Sequence, residues 1–342
     1  DSCVAKSKEL YLGKYTVVEK TAPNGYVLDK KKYDVTLTYA GQDIAVTSTA
    51  QTTYNERQKV RMSLHKAMEQ NGIYNIGKHN EIANVKFGIF ADEKVIAADG
   101  TSVPKDGMIT SAYCDYNGNV TFDCDLPIGY DWYAKEIETD VHYILSDVHY
   151  KFDTDYAGQD IDLREIPINN GESIYNSLKK GRVQGLKVGT NAQRLEGAVF
   201  GIFEEYECDF SQESALTTTV SDHFGNFSFD NVPYGNWIVK ELIAPKGFAL
   251  DSTLHRINIP EDATIIELTI KNKQVEVSKV DIATGKELPG AKMRVTDVDG
   301  NIVDSWTSAN KPHIVNTLME GQQYILTEIT APYGYEIAED II

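Results

Sequence analysis

Hydrophobic and polar positions alternate along most of this chain, and one alternating stretch recurs four times in recognisable form. Its copies are KYTVVEKTAPNGYVLD from Lys14, DWYAKEIETDVHYILSD from Asp131, NWIVKELIAPKGFALD from Asn236 and QYILTEITAPYGYEIAED from Gln323. Successive side chains of a strand point to opposite faces, so each copy puts an apolar pair and then a glutamate on one face. The sets are Tyr15, Val17 and Glu19; Trp132, Ala134 and Glu136; Trp237, Val239 and Glu241; and Tyr324, Leu326 and Glu328. The pattern predicts four strands whose glutamate points into an apolar interior. A buried carboxylate is costly unless paired or protonated, so a repeated one points to chemistry rather than accident.

Other alternating strands surround these four. Val60, Met62 and Leu64 lead to Lys66 on the same face, Val183 and Gly185 lead to Lys187, and Val275 and Val277 lead to Lys279. Closing strands place Ile174 with Asn176, and Leu268 and Ile270 with Asn272; a third ends TTYN at Asn55. Asn169 and Asn170 are alternatives close to Asn176. The string YAGQDI occurs at Tyr39–Ile44 and Tyr156–Ile161, equally far from Glu19 and Glu136. FGIF occurs at Phe87–Phe90 and Phe200–Phe203. Repetition of both string and register marks a repeat architecture. YNGN, FGN and DVDGN read as hairpin turns, and DVDGN at Asp297–Asn301 is a turn rather than a calcium loop, which needs further ligands. Residues 67–83 are the least regular and are the one place for a short helix.

These signals divide the chain into residues 1–57, a partial unit without its first strands; 58–180, a complete unit with loop insertions; 181–273, a complete unit; and 274–342, a partial unit without its last strand. The fold class is all-β, a tandem array of β-sandwiches. Joins between units are short, which implies a stiff, elongated rod.

Each complete unit therefore has a lysine, a glutamate and an asparagine on apolar faces of its first, middle and last strands. Desolvation lowers a lysine pKa and makes the neutral, nucleophilic amine accessible. A buried glutamic acid can hand protons to and from the asparagine carboxamide. The amine then attacks the carboxamide carbon, ammonia leaves, and an amide joins the side chains. Proximity and an apolar environment drive the step with no cofactor and no metal. The two sets are Lys66, Glu136, Asn176 and Lys187, Glu241, Asn272. Glu19 and Asn55 lack a lysine, and Lys279 and Glu328 lack an asparagine. In the bland reading these lysines snorkel to solvent and the glutamates are solvated charges; the repetition argues against it.

Composition narrows the partners. With 42% apolar residues and many tyrosines the chain is globular, and a net charge of −18 opposes nucleic acid or anionic membrane as a partner. No apolar run is long enough to span a bilayer. Cys3, Cys114, Cys124 and Cys208 show no metal-ligand spacing. Cys114 and Cys124 flank an Asn-Gly turn, but a two-residue hairpin there sets them on opposite faces, which disfavours a bridge. No HExxH or Gly-rich phosphate loop points to a turnover enzyme.

The ETxAPxGY-like segments, the lysine-terminated strand, LPGA at Leu288–Ala291 and the asparagine-terminated strand together resemble the Cna-B or SpaA-type repeats of Gram-positive surface adhesins and pilins. That resemblance implies prealbumin-like, reverse-Ig-like sandwiches holding Lys–Asn isopeptide bonds assisted by the glutamate, on the residues named above. It implies an extracellular stalk or adhesin segment of a longer cell-wall protein, with single-turnover self-cross-linking as its chemistry. The second unit departs in carrying TDVH where the others have APxG, although Tyr143 keeps the aromatic position of Tyr26, Phe248 and Tyr335. A rival reading is a binding module for a host matrix protein, glycan or immunoglobulin, using insertions at 67–83 and 91–111 and Tyr113, Tyr116 and Tyr130. A pilus shaft subunit is a third.

Overall fold

The computed structural model describes residues 4–97, 99–315 and 318–342; Cys3 lies outside them. Strands dominate, and among the described residues the only helical turns are 3-10 segments at Glu81–Asn84 and Ile168–Gly171. The chain forms two compact units. One comprises Asp1–Met68, His79–Asp140 and Leu145–Asn176, the other Glu69–Lys78, Val141–Ile144 and Ser177–Ile342.

The first unit contains one complete sandwich. Its lysine strand, Lys59–Met68, pairs antiparallel with Asn119–Cys124 and parallel with Leu163–Pro167 and Ile174–Asn176. The facing sheet has Lys86–Ala91 at its centre, between Met108–Tyr113 and the glutamate strand Asp131–Glu138, with Tyr150–Asp153 at the edge. Val60, Met62, Leu64 and Phe122 from one sheet meet Phe87, Ile89, Trp132 and Ala134 from the other in a single core. Alternation produces this core directly, because every second residue of these strands is apolar. The closing strand is cut in two by Asn169 and Asn170, both left-handed at φ of 56° and 55°. Asparagine tolerates that conformation, so the chain steps aside at Pro167 and rejoins the ladder at Ile174.

Ahead of this sandwich lies a two-stranded sheet, Gly13–Val17 with Tyr33–Leu37. No strand forms between Thr38 and Asn55, where the pattern predicts a closing strand. In the complete sandwich the closing strand is held by the lysine strand; among the described residues no lysine strand lies beside 38–55.

In the second unit the lysine strand Lys180–Val188 pairs antiparallel with Asn226–Pro233 and parallel with Ile265–Lys271. Val199–Glu204 lies between Thr217–Val220 and the glutamate strand Gly235–Ile243, which is edged by His255–Ile259. This strand order repeats that of the first sandwich. The Phe200 and Phe227 rings stack at 3.9 Å across the core. Two further sheets follow, with Val275–Val277 paired to His313–Val315, and Lys292–Asp297 between Ile302–Thr307 and Tyr324–Thr330. Their small core holds Val295, Val315 and Leu318.

The hairpin expectations for YNGN and FGN need correction. YNGN does not close a hairpin, because Met108–Tyr113 and Asn119–Cys124 belong to opposite sheets. Asp115 Oδ1 accepts the backbone N–H of Asn117 and of Asn119, and this Asx loop carries the chain from one sheet to the other. Asp222 repeats the loop at Phe224 and Asn226. Cys114 and Cys124 are consequently free thiols, and burial raises their pKa to about 12 and about 11. By contrast DVDGN is a true hairpin turn, between Lys292–Asp297 and Ile302–Thr307.

Candidate functional site

Lys66 is the fourth inward position of its strand, after Val60, Met62 and Leu64, and its side chain is fully buried. Phe87 lies beneath it, the Lys66 Nζ standing 5.7 Å from the ring centroid. Glu136 follows Trp132 and Ala134 into the same interior, and Asn176 enters beside Ile174. Lys66 Nζ donates to Glu136 Oε2 at 3.0 Å and to Asn176 Oδ1 at 2.5 Å. Asn176 Nδ2 donates to Glu136 Oε1 at 2.6 Å and to Thr139 Oγ1 at 3.1 Å. Three residues separated widely in sequence thus form a closed triangle without solvent. Asn169 and Asn170 stay outside it.

The second compact unit repeats the arrangement. Lys187, Glu241 and Asn272 are buried, with Lys187 Nζ 5.5 Å from the Phe200 ring centroid. Lys187 Nζ is 2.8 Å from Glu241 Oε1 and donates to Asn272 Oδ1. Asn272 Nδ2 donates to Glu241 Oε1 at 3.0 Å, while the backbone N–H of Asp251 donates to Glu241 Oε2 at 2.8 Å. Burial lowers the pKa of both Lys66 and Lys187 despite their glutamates. Burial raises that of Glu241, partly offset by Lys187. In the Lys187–Glu241 pair both directions favour a neutral amine facing a neutral acid.

Such an arrangement can do amide chemistry. An amine lone pair beside a carboxamide whose oxygen and nitrogen are both hydrogen-bonded sits near the geometry of attack. A carboxylic acid spanning amine and leaving nitrogen can move the proton between them.

The partial sites differ. Glu19 Oε2 accepts the Asn55 side-chain amide at 2.6 Å and the Asp29 backbone N–H at 2.7 Å, with both residues part-exposed. Lys279 Nζ donates to Glu328 Oε2 at 2.9 Å, and the Ala338 backbone N–H donates to the same oxygen at 2.7 Å. The three tyrosines do not share one environment. Tyr113 donates its hydroxyl to Glu138 and lies against Lys86, Tyr116 projects from the Asx loop, and half-buried Tyr130 donates to the Ile96 carbonyl.

Sequence reasoning missed several supporting groups. Thr139, part of the divergent TDVH, supplies the second acceptor for Asn176. Backbone N–H groups ten residues after Glu19, Glu241 and Glu328 hold those carboxylates; the recurrent spacing from Glu to the end of the APxGY loop was the available signal. Buried Gln58 clamps the YAGQDI turn, donating to the Gly158 and Ile161 carbonyls and accepting from Ala157.

Fold and site together define a tandem array of prealbumin-type sandwiches with buried Lys–Glu–Asn clusters. The family model of the SpaA prealbumin-like fold domain matches residues 2–52, 181–274 and 273–342, and the chain belongs to that family. The match leaves out the sandwich at 58–180, which is joined to the rest by its identical strand order. No curated protein matches the chain. Among solved structures it is similar to the Bacillus anthracis TIE protein, at 20% identity over 92% of this chain and 51% of that one, with a TM-score of 0.46. The chain thus spans about half the length of that protein. It is also similar to BcpA, the major pilin subunit of Bacillus cereus, at 17% identity over 78% and 86% of the two chains with a TM-score of 0.37. A C-terminal fragment of the pilus adhesin SpaC from Lactobacillus rhamnosus GG is 11% identical over 65% and 100%, with a TM-score of 0.42.

Proposed function

We propose that this chain is a stalk segment of a Gram-positive cell-surface adhesin or pilus, built of units 1–57, 58–180, 181–273 and 274–342. In this reading the two complete units cross-link themselves by Lys66–Asn176 and Lys187–Asn272 amide bonds, with Glu136 and Glu241 as proton shuttles. The carrying observation is the convergence of each lysine and asparagine on one buried glutamate, twice, in the same register. The chemistry is a single turnover with no cofactor: the Lys Nζ–Cγ bond forms, the carboxamide C–N bond breaks, and ammonia leaves.

The test is intact mass under denaturing, reducing conditions. The native sequence should be lighter than its composition by two ammonia molecules, and Glu136→Ala and Glu241→Ala should each restore one. A mass equal to the composition would reduce both clusters to structural ion pairs.

A second reading, capture of a host protein or glycan, retains one specific feature: Tyr116 is 75% exposed on the tip of the Asx loop. The insertion at 67–83 favours that reading less, since Glu69 and Tyr74 are engaged within the second compact unit. Loss of ligand capture on Tyr116→Ala, with the fold intact, would support it.

A further inference from the structure

Glu241 is held from outside its own strand. Its Oε1 faces Lys187 Nζ at 2.8 Å and the Asn272 side-chain amide at 3.0 Å, while its Oε2 accepts the Asp251 backbone N–H at 2.8 Å. A carboxyl with one oxygen fixed cannot swivel, so that N–H decides which oxygen meets the reacting pair. Asp251 is itself fixed on both sides. Downstream, its carboxylate accepts the Thr253 N–H at 3.0 Å and lies 3.2 Å from His255 Nε2. Upstream, the Ala249 N–H donates to the Lys273 carbonyl, one residue past Asn272, and the Leu250 N–H donates to the Leu318 carbonyl, both at 2.8 Å. The Leu250 carbonyl accepts the Glu320 N–H at 3.1 Å, and Ala249 shares a buried cluster with Val295, Val315 and Leu318. The loop that presents an N–H to Glu241 is therefore packed on the strands that follow Asn272.

The same connections occur in the first compact unit. The Val27 N–H donates to the Glu56 carbonyl, one residue past Asn55, and the Leu28 N–H donates to the Gln159 carbonyl in the YAGQDI turn of the complete sandwich. The next N–H along, that of Asp29, reaches Glu19 Oε2. Twice, then, the two residues before the glutamate's N–H donor are tied to the join and to the structure beyond it. Glu136 is held differently. Its oxygens are bonded by the Lys66 and Asn176 side chains, and Thr139, just past its own strand, steadies Asn176.

We propose that docking of residues 274–342 onto the 244–251 loop aims Glu241, so that the Lys187–Asn272 bond closes only after those residues have folded, while the Lys66–Asn176 bond closes independently of them. The inference rests on the cross-linking proposed above: Lys187 Nζ bonds to Asn272 Cγ, the carboxamide nitrogen leaves as ammonia, and Glu241 passes the proton between them and ends as it began. Ala249, Leu250 and Leu318 are positioning residues, because they act on Glu241 only through the Asp251 N–H. The functional consequence is an order of assembly. The sandwich built on Lys180–Val188 is sealed once its loop is docked, and an undocked loop leaves it open to refolding.

The test places Leu318→Asp in the full chain, with Leu318→Met as the conservative control, and reads intact mass under denaturing, reducing conditions. The native chain and Leu318→Met should each lack two ammonia molecules. Most molecules of Leu318→Asp should lack one, with peptide mapping assigning the missing bond to Lys187–Asn272. Hydrogen exchange should show strands Lys180–Val188 and Ile265–Lys271 as protected in Leu318→Asp as in Glu241→Ala, which has no such bond but keeps the docked loop. Loss of the bond together with that protection would overturn the proposal, since docking would then act on the sandwich's stability rather than on Glu241. Loss of the Lys66–Asn176 bond as well would overturn the claimed independence. A native chain with its full composition mass would remove the cross-linking reading and this inference with it, whereas a native deficit that Leu318→Asp leaves unchanged would remove this inference alone.

Discussion

Lys187 and Glu241 are both buried away from solvent, which is tolerable only because each satisfies the other and Asn272 completes the set. Removing the cation should expose that dependence. In Lys187→Met the carboxyl keeps its burial and loses the charge that offsets it, so its folded pKa lies further above the unfolded value. Stability from the neutral acid is then fully present below the unfolded pKa and is lost as pH rises through the folded one. Thermal melts of this variant should therefore give a higher midpoint at about pH 5 than at about pH 8. Tyr74 offers a milder test. Its ring packs edge-on against Trp237 at 4.8 Å, but its buried hydroxyl has no partner and its pKa is raised to about 12 by burial. Tyr74→Phe keeps the ring and removes the orphan, so urea unfolding should show no loss, or a gain of up to about 1 kcal/mol.

The lysine strands Lys59–Met68 and Lys180–Val188 are each braced by a glycine from the Asx loop. Gly118 and Gly225 have φ of 83° and 77°, accept the N–H of Lys66 and Lys187 through their carbonyls, and would bring a Cβ within 2.2 Å and 2.4 Å of those lysines' carbonyl oxygens. Only a residue without a Cβ fits. Gly225→Ala should destabilise the sandwich that holds Lys187 by about 2–4 kcal/mol in urea unfolding. It should also slow cross-linking, since the clash pushes directly on the strand that aims Lys187; a residual uncross-linked fraction by mass is the readout. The loops labelled YNGN and FGN by sequence thus act as spacers that set the lysine's depth.

At the scale of the molecule, the proposed bonds join residues 110 and 85 positions apart. By analogy with disulfides, loops of that size contribute about 4–5 kcal/mol through the unfolded state. With those proposed bonds in place, tension entering at the lysine strand would leave through the asparagine strand without peeling either sheet. Single-molecule stretching of the native chain should show no extension from the two complete sandwiches. Glu241→Ala should release the sandwich built on Lys180–Val188, adding about 300 Å of extended chain. Equal extension in both proteins would remove the mechanical role.

The sequence by itself determined which residues face inward, because a strand's period of two needs no tertiary information: Lys66, Glu136, Asn176, Lys187, Glu241 and Asn272 all lie where alternation puts them, beneath 3% exposure. The all-β class and the repeat were legible for the same reason. Tertiary structure decided what alternation cannot encode, namely which strands are neighbours. Pairing turned YNGN from a hairpin into a bridge between sheets, kept Cys114 and Cys124 apart, split one closing strand at Asn169 and Asn170, and left Asn55 outside any ladder. It also supplied Thr139 and the loop N–H groups around the glutamates. A side chain's face is a local property, whereas hydrogen-bond partners depend on which distant segment arrives, and only the folded chain fixes that.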